Sequence, residues 1–212
     1  MRRLTQFLVM GILVAGISKA TIIAVLDSGP VPVLGGFAFN YRADLTGDER
    51  LDPAATNGIT CPGPGPSLVQ CNPPGTFFTL YDISGFVSAN TTASGWFVTV
   101  QNLGLTPSGI NASGFDNAAI VNVTFSYTGP VVHANGSTLP IPGFQIVSTL
   151  NGVTSGNFTS QATKDSNFSI GTTDQAVGPV SVPAGSVPEP ASLVLIGAGI
   201  FGLAMLRRRV PR

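Results

Sequence analysis

The amino-acid sequence predicts an all-β protein, an antiparallel β-sandwich that lies between two terminal signals. Short segments rich in β-branched and aromatic residues recur along its body, and turns of Gly, Pro and Asn separate them. No segment of the body keeps a helical period of apolar residues over about ten positions. This pattern leaves both a jelly-roll and an immunoglobulin-like topology open.

The strand signal is strongest between residues 75 and 127. In residues 119–127 apolar side chains alternate with Asn122, Thr124 and Ser126, which predicts a strand buried on one face only. Trp96 and the phenylalanines are then core residues. The other predicted strands are residues 21–26, 37–41, 76–82, 85–88, 95–102, 143–150, 157–161 and 167–170. Residues 27–36 are predicted as a turn-rich connection.

Four segments follow from this pattern. They are a signal peptide at 1–20, a β-sandwich domain at 21–170, a Pro/Gly-rich linker at 171–186 and a C-terminal sorting segment at 187–212. The linker assignment rests on composition, because its Gly, Pro and Val show little pattern.

The N-terminus has the three parts of a secretory signal peptide. Arg2 and Arg3 precede an apolar run at residues 4–17, and small residues follow it. We predict cleavage after Ala20, with cleavage after Ala24 and an uncleaved anchor helix as the alternatives. Any of the three places the body outside the cytoplasm.

The C-terminus predicts a membrane-spanning helix. Residues 191–206 are uncharged and apolar, and Arg207, Arg208 and Arg209 follow as a stop-transfer cluster. The run is shorter than the roughly 20 residues of a typical span, so a buried core helix is the alternative. Positive charge at this end favours a cytoplasmic C-terminus and an exported body.

This end resembles the PEP-CTERM sorting signal of exported bacterial proteins, in which a Pro-Glu-Pro motif precedes a short helix and an Arg-rich tail. Pro188, Glu189 and Pro190 form the motif here. The resemblance implies an exosortase as processing partner, an inner-membrane anchor at residues 191–206, and later delivery to the cell surface or extracellular matrix. Segments of the body (TFFTLYDISGFV, DNAAIVNVTFSYTGP and NFTSQATKDS) also resemble a body type that recurs among such proteins.

The charge of the body argues against nucleic acid as a partner. Seven of the ten basic residues lie near the termini, so residues 27–187 hold three basic and nine acidic residues, a net charge of about −6. Nucleic-acid binding requires a basic surface. A solvated surface kept soluble by like charge is the favoured interpretation.

One loop partly matches a calcium-binding pattern. Asp44, Thr46, Asp48 and Asp52 stand at offsets 1, 3, 5 and 9 of a calcium loop. Glu49 replaces the turn glycine, however, and Ala55 replaces the bidentate glutamate. These departures favour a solvated acidic loop over a metal site.

The remaining candidate site residues indicate neither a catalytic site nor a bound cofactor. Cys61 and Cys71 are the only cysteines and predict a disulfide in an exported chain. His133 is the only histidine, and no nucleophile motif accompanies it. We expect a non-enzymatic surface or matrix protein associated with extracellular polysaccharide. The alternative is a binding module for carbohydrate, calcium or another surface ligand.

Overall fold

A computed structural model describes residues 21–53, 75–165 and 172–185, which we call the body. All regular structure in these ranges is β-strand, and none of it is a helix long and apolar enough to cross a membrane. The strands are β1 Ile22–Val33, β2 Gly36–Leu45, β3 Glu49–Leu51, β4 Phe77–Leu80, β5 Phe86–Thr91, β6 Trp96–Gln101, β7 Asn122–Tyr127, β8 Val132–His133, β9 Leu139–Ser148, β10 Gly152–Lys164 and β11 Thr173–Ala184.

The strands form two antiparallel sheets. The first has the order β1-β2-β9-β5, and the second has the order β6-β7-β4-β10-β3-β8 with β11 on the free edge of β10. Each pairing is antiparallel, which confirms the all-β, antiparallel part of the prediction. The predicted strand at 167–170 lies outside the described residues.

The two sheets share one aromatic core. Phe144 on the first sheet contacts Phe78, Trp96 and Phe125 on the second, with ring centroids 4.9 to 5.1 Å apart. All three contacts are edge-to-face, an arrangement that aromatic quadrupoles favour. Trp96 is 8% exposed, so it packs in the core as the sequence predicts.

The predicted linker is wrong, because residues 173–184 form β11. This strand pairs with β10 over its whole length, from Thr173↔Thr163 to Ala184↔Gly152. Its Val180 and Val182 are buried, and Gly178 leaves room for the ring of Phe158, which would lie 2.9 Å from a Cβ at that position. Prolines are tolerated in an edge strand because an edge leaves some N–H groups unpaired. The body therefore extends to Ala184 rather than ending at residue 170.

Two further expectations need correction. The predicted turn at 27–36 is instead the outer half of the β1–β2 hairpin, in which β1 continues to Val33. The predicted one-sided burial of β7 is also wrong, because all six of its residues are buried. Residues 102–120 cover its polar face, as Asn122 shows by donating to the Asn102 carbonyl.

The body has two different ends. The charged end consists of the end of β2, the β2–β3 turn at 46–48, β3 with the following Asp52, β8, the end of β10 with the following Asp165, and the start of β11. It holds most of the charged side chains of the body. The apolar end consists of the β1–β2 turn at 34–35, residues 84–87, the β9–β10 turn at 149–151 and the end of β11. Ser148 pairs with both Phe37 and Phe86, and Gly152 pairs with Ala184, which brings these segments to one end.

Candidate functional site

Glu49 occupies the centre of the charged end. It begins β3, and Lys164 pairs with it from β10. Its side chain is fully buried, and neither carboxylate oxygen accepts a hydrogen bond within the described part of the chain. The Lys164 ammonium lies 3.9 Å from Glu49 Oε1 and 3.0 Å from Asp174 Oδ2, so its shorter contact is with Asp174.

Burial raises the pKa of Glu49 to about 8, although Lys164 lowers it. The negative charges of Asp174, Asp48 and Asp165 raise it further. The raised pKa means that Glu49 is largely protonated at neutral pH, as expected for a carboxyl removed from water without a hydrogen-bond donor.

A second set of charges surrounds Asp165, which follows the end of β10. Its Oδ2 lies 2.5 Å from His133 Nδ1, and its Oδ1 lies 3.6 Å from Arg50 Nη1. Arg50 also contacts Asp52 at 3.0 Å. The backbone amide of Asp165 donates to the Asp48 carbonyl, which fixes this residue against the β2–β3 turn. These polar contacts join the β2–β3 turn, β3, β8 and the end of β10.

The chemistry open to this arrangement is limited by access. A general acid or base must reach the substrate within hydrogen-bond distance. Glu49 is enclosed and has no exposed surface, whereas the accessible His133 is held by a hydrogen bond with Asp165. The described geometry supports a charge cluster that fastens strand ends together.

The four residues of the calcium hypothesis have separate partners, and that of Asp48 is the Lys164 ammonium at 3.9 Å. Asp44 accepts a hydrogen bond from Arg42 at 2.9 Å, and Asp52 accepts one from Arg50 at 3.0 Å. Thr46 Oγ1 accepts from the backbone of Thr21 at 2.6 Å. Within residues 21–53, 75–165 and 172–185, no group of three or more His, Cys, Asp or Glu is placed to hold a metal ion. The structure thus gives the calcium hypothesis no support.

A buried hydroxyl cluster on the outer face of the second sheet was missed by sequence reasoning. Tyr81 Oη lies 2.6 Å from Thr106 Oγ1 and 2.9 Å from Thr159 Oγ1. Thr79 Oγ1 donates to the Leu105 carbonyl at 2.7 Å and lies 2.8 Å from Thr124 Oγ1. We call these five side chains and the Leu105 carbonyl the hydroxyl cluster. It fastens residues 102–120 to the sheet.

Burial raises the pKa of Tyr81 to about 12, so its hydroxyl stays protonated and can donate. The signal that could have revealed the cluster is the absence of charge on the polar faces of β4, β7 and β10. An exposed sheet face usually carries charged side chains, whereas these strands carry Thr, Ser and Asn.

The other predicted site residues lie outside the described residues. They are the signal peptide at 1–20, Cys61 and Cys71, the Pro188-Glu189-Pro190 motif, the apolar run at 191–206, and Arg207, Arg208 and Arg209. The disulfide and the two terminal helices therefore stay predictions.

Neither the comparison with curated proteins nor that with solved structures gives a significant match. A family model of the PEP-CTERM protein-sorting motif matches residues 186–209. The match confirms the resemblance drawn from Pro188, Glu189 and Pro190. It begins two residues after the last strand ends at Ala184, so the body and the signal are nearly contiguous. The chain thus carries a PEP-CTERM sorting signal behind a strand-rich body, and this signal implies export, exosortase-type processing and a membrane-associated C-terminal region.

Proposed function

We propose that this protein is a non-enzymatic component of the bacterial cell surface or extracellular matrix. Residues 191–206 hold it in the inner membrane after export, and an exosortase then removes the tail. The observation that carries this proposal is the sorting signal at residues 186–209. Because β11 ends at Ala184, removal of the signal leaves every described strand intact.

The non-enzymatic role is supported by the chemistry of the charged end. Its one unusual carboxyl, Glu49, is enclosed, and its histidine is engaged by Asp165. The hydroxyl cluster is also enclosed, beneath residues 102–120. These polar groups make contacts within the body, which suits a structural component. Its association with extracellular polysaccharide is the part of the proposal that follows from delivery to the matrix.

Export by the predicted signal peptide would place Cys61 and Cys71 in an oxidising compartment. Disulfides persist there, whereas cytosolic thiols stay reduced. We therefore propose that these cysteines form a disulfide in the mature protein, and a mass measurement with and without reduction and alkylation would detect it.

The direct test is intact-mass analysis of the mature protein in a bacterium with an exosortase and in an isogenic strain lacking it. We expect loss of the C-terminal segment in the first strain and retention of Arg212 in the second. A variant with Pro188→Ala, Glu189→Ala and Pro190→Ala should retain the segment in both strains, because the recognised motif is gone.

Pro179→Ala is the matched control, since Pro179 is an exposed proline that lies outside the matched residues. It should be processed as the wild-type protein is. Retention of Arg212 on the wild-type protein in the exosortase-containing strain would contradict the proposal.

A further inference from the structure

The β1–β2 hairpin carries an exposed apolar tip. From Asp27 to Val33 every residue of the edge strand β1 is exposed, whereas Ala38 and Phe39 on the neighbouring β2 are buried in the core. We define the hairpin tip as residues 31–35, which include Val31, Val33 and Leu34. Leu34 is 103% exposed, so no described part of the chain covers it. Val87 adds a further exposed side chain beside Gly35, 4.0 Å from the position of a Cβ there.

The segments at the apolar end carry no charge. No Asp, Glu, Lys or Arg occurs in residues 28–41, 83–91, 134–163 or 175–185. Asp82 precedes this region, but it is half-buried and accepts a hydrogen bond from the Asn117 amide. The charged end of the body instead holds Asp44, Asp48, Glu49, Arg50, Asp52, Lys164, Asp165 and Asp174. An exposed apolar patch without charge marks an interaction surface.

The chain leaves the body at this same end. The last strand finishes at Ala184 opposite Gly152, and Gly152 lies four residues after Ser148, the pairing partner of Phe37. Six residue steps then separate Gly185 from Ala191, where the apolar run starts. Six extended residues reach about 20 Å at most. The headgroup region on each side of a bilayer is roughly 6 Å thick, so the hairpin tip lies within reach of it.

We propose that the hairpin tip rests in the headgroup region of the bilayer in which the C-terminal segment is anchored, on the extracytoplasmic side. The occupant of the apolar patch is then lipid, and the charged end points away from the membrane. This inference rests on the proposed function, because it requires residues 191–206 to be anchored. Apolar side chains that enter the interface contribute affinity in proportion to the area they bury.

The test places a tryptophan at the tip of the full-length protein. Trp96 is the only native tryptophan and is buried, so the wild-type protein supplies a constant background. Leu34→Trp would be reconstituted into vesicles of phosphatidylethanolamine and phosphatidylglycerol, with and without brominated acyl chains. We expect a blue-shifted emission from the added tryptophan and its quenching by the brominated lipids.

Val131→Trp is the matched control, because Val131 is 46% exposed and precedes β8 at the charged end. Its added emission should be unquenched. Flotation of the vesicles reports the anchor separately. If the protein floats while the emission of Leu34→Trp stays unquenched, this inference is overturned and the anchor is intact. If the protein does not float, both this inference and the proposed membrane anchor are overturned. A blue-shifted emission without lipid quenching, together with a doubled mass of the protein, would assign the apolar patch to a second copy of the chain. That result overturns this inference too.

Discussion

The body contains two buried polar regions, and they differ in how their polar atoms are satisfied. The hydroxyl cluster on the outer face of the second sheet pairs Tyr81 and Thr79 with neighbours at 2.6 to 2.9 Å. Glu49 at the charged end is equally buried, yet neither of its oxygens accepts a hydrogen bond in the described part of the chain. Both regions join segments that are distant in sequence.

Burial therefore has opposite consequences for a neutral and for an ionisable group. A buried hydroxyl with partners makes a modest net contribution to stability, about 1 kcal/mol for each hydrogen bond. A buried carboxyl without donors avoids the cost of a buried charge by keeping its proton. The hydroxyl cluster should therefore act equally at every pH near neutrality, whereas Glu49 should make stability depend on pH.

The largest expected effect is the pH dependence that Glu49 confers. Its pKa is about 8 in the folded protein against an ordinary value of 4.5, so the folded state binds the extra proton between these values. The contribution of Glu49 to the free energy of unfolding is fully present below the ordinary pKa, and it is lost as pH rises towards 8. The slope is at most about 1.4 kcal/mol per pH unit, which gives up to about 5 kcal/mol in total over this interval. Denaturant unfolding at a series of pH values would measure it.

Glu49→Gln isolates this contribution, because glutamine resembles the protonated carboxyl and does not titrate. The variant should match the wild-type protein near pH 4 and exceed its free energy of unfolding by a few kcal/mol near pH 8. Other carboxylates act equally in both proteins and cancel in the difference. Parallel pH profiles for the two proteins would show that Glu49 has an ordinary pKa.

The next effect in size tests the hydroxyl cluster. Thr79→Val keeps the side-chain shape but removes the donor to the Leu105 carbonyl and the partner of Thr124. We expect a loss of about 1–2 kcal/mol in the free energy of unfolding, with the same value at pH 5 and pH 8. Chemical denaturation at both pH values measures it.

Thr99 provides the control, because it pairs with Thr124 in the register while no hydrogen bond is found for its hydroxyl among the described residues. Thr99→Val should change stability by less than about 0.5 kcal/mol. Equal losses from the two variants would mean that the cluster contributes through side-chain volume rather than through its hydrogen bonds.

The sequence predicts those parts of the fold in which local pattern decides the structure. Residues 76–82, 95–102 and 119–127 contain β4, β6 and β7 because β-branched and aromatic residues are concentrated there. It fails at β11, where Gly and Pro suggested a linker. The alternation of Val180 and Val182 was present, but the need for Gly178 opposite Phe158 depends on a partner in another strand.

The buried polar regions depend on contacts between strands, so the sequence alone does not reveal them. Thr79 is flanked by Thr124 on β7 and by Thr159 on β10, which makes a row of threonines across the sheet rather than along a strand. In the sequence, Glu49 stands out only because it replaces the turn glycine of a calcium loop. Its burial follows from the pairing of β3 with β10, which places Lys164 opposite it.

The smallest expected effect tests how a neighbouring charge, Asp174, changes the pKa of Glu49. Asp174 raises the pKa of Glu49 and forms the closer contact of Lys164. Asp174→Asn should lower the pKa of Glu49, because it removes a negative charge and frees Lys164 to approach the carboxylate. The stability lost from this partly exposed ion pair should be under about 1 kcal/mol. The midpoint of the pH-dependent loss should move to lower pH, as measured from the same unfolding series.

Asp52→Asn is the control for this shift, since its pair with Arg50 has the same 3.0 Å length and a similar exposure. Asp52 does not contribute to the raised pKa of Glu49. We expect a comparable small loss of stability with an unchanged midpoint. A midpoint that moves equally in both variants would attribute the effect to the net charge of the body, whereas a shift confined to Asp174→Asn assigns it to Asp174 and its contact with Lys164.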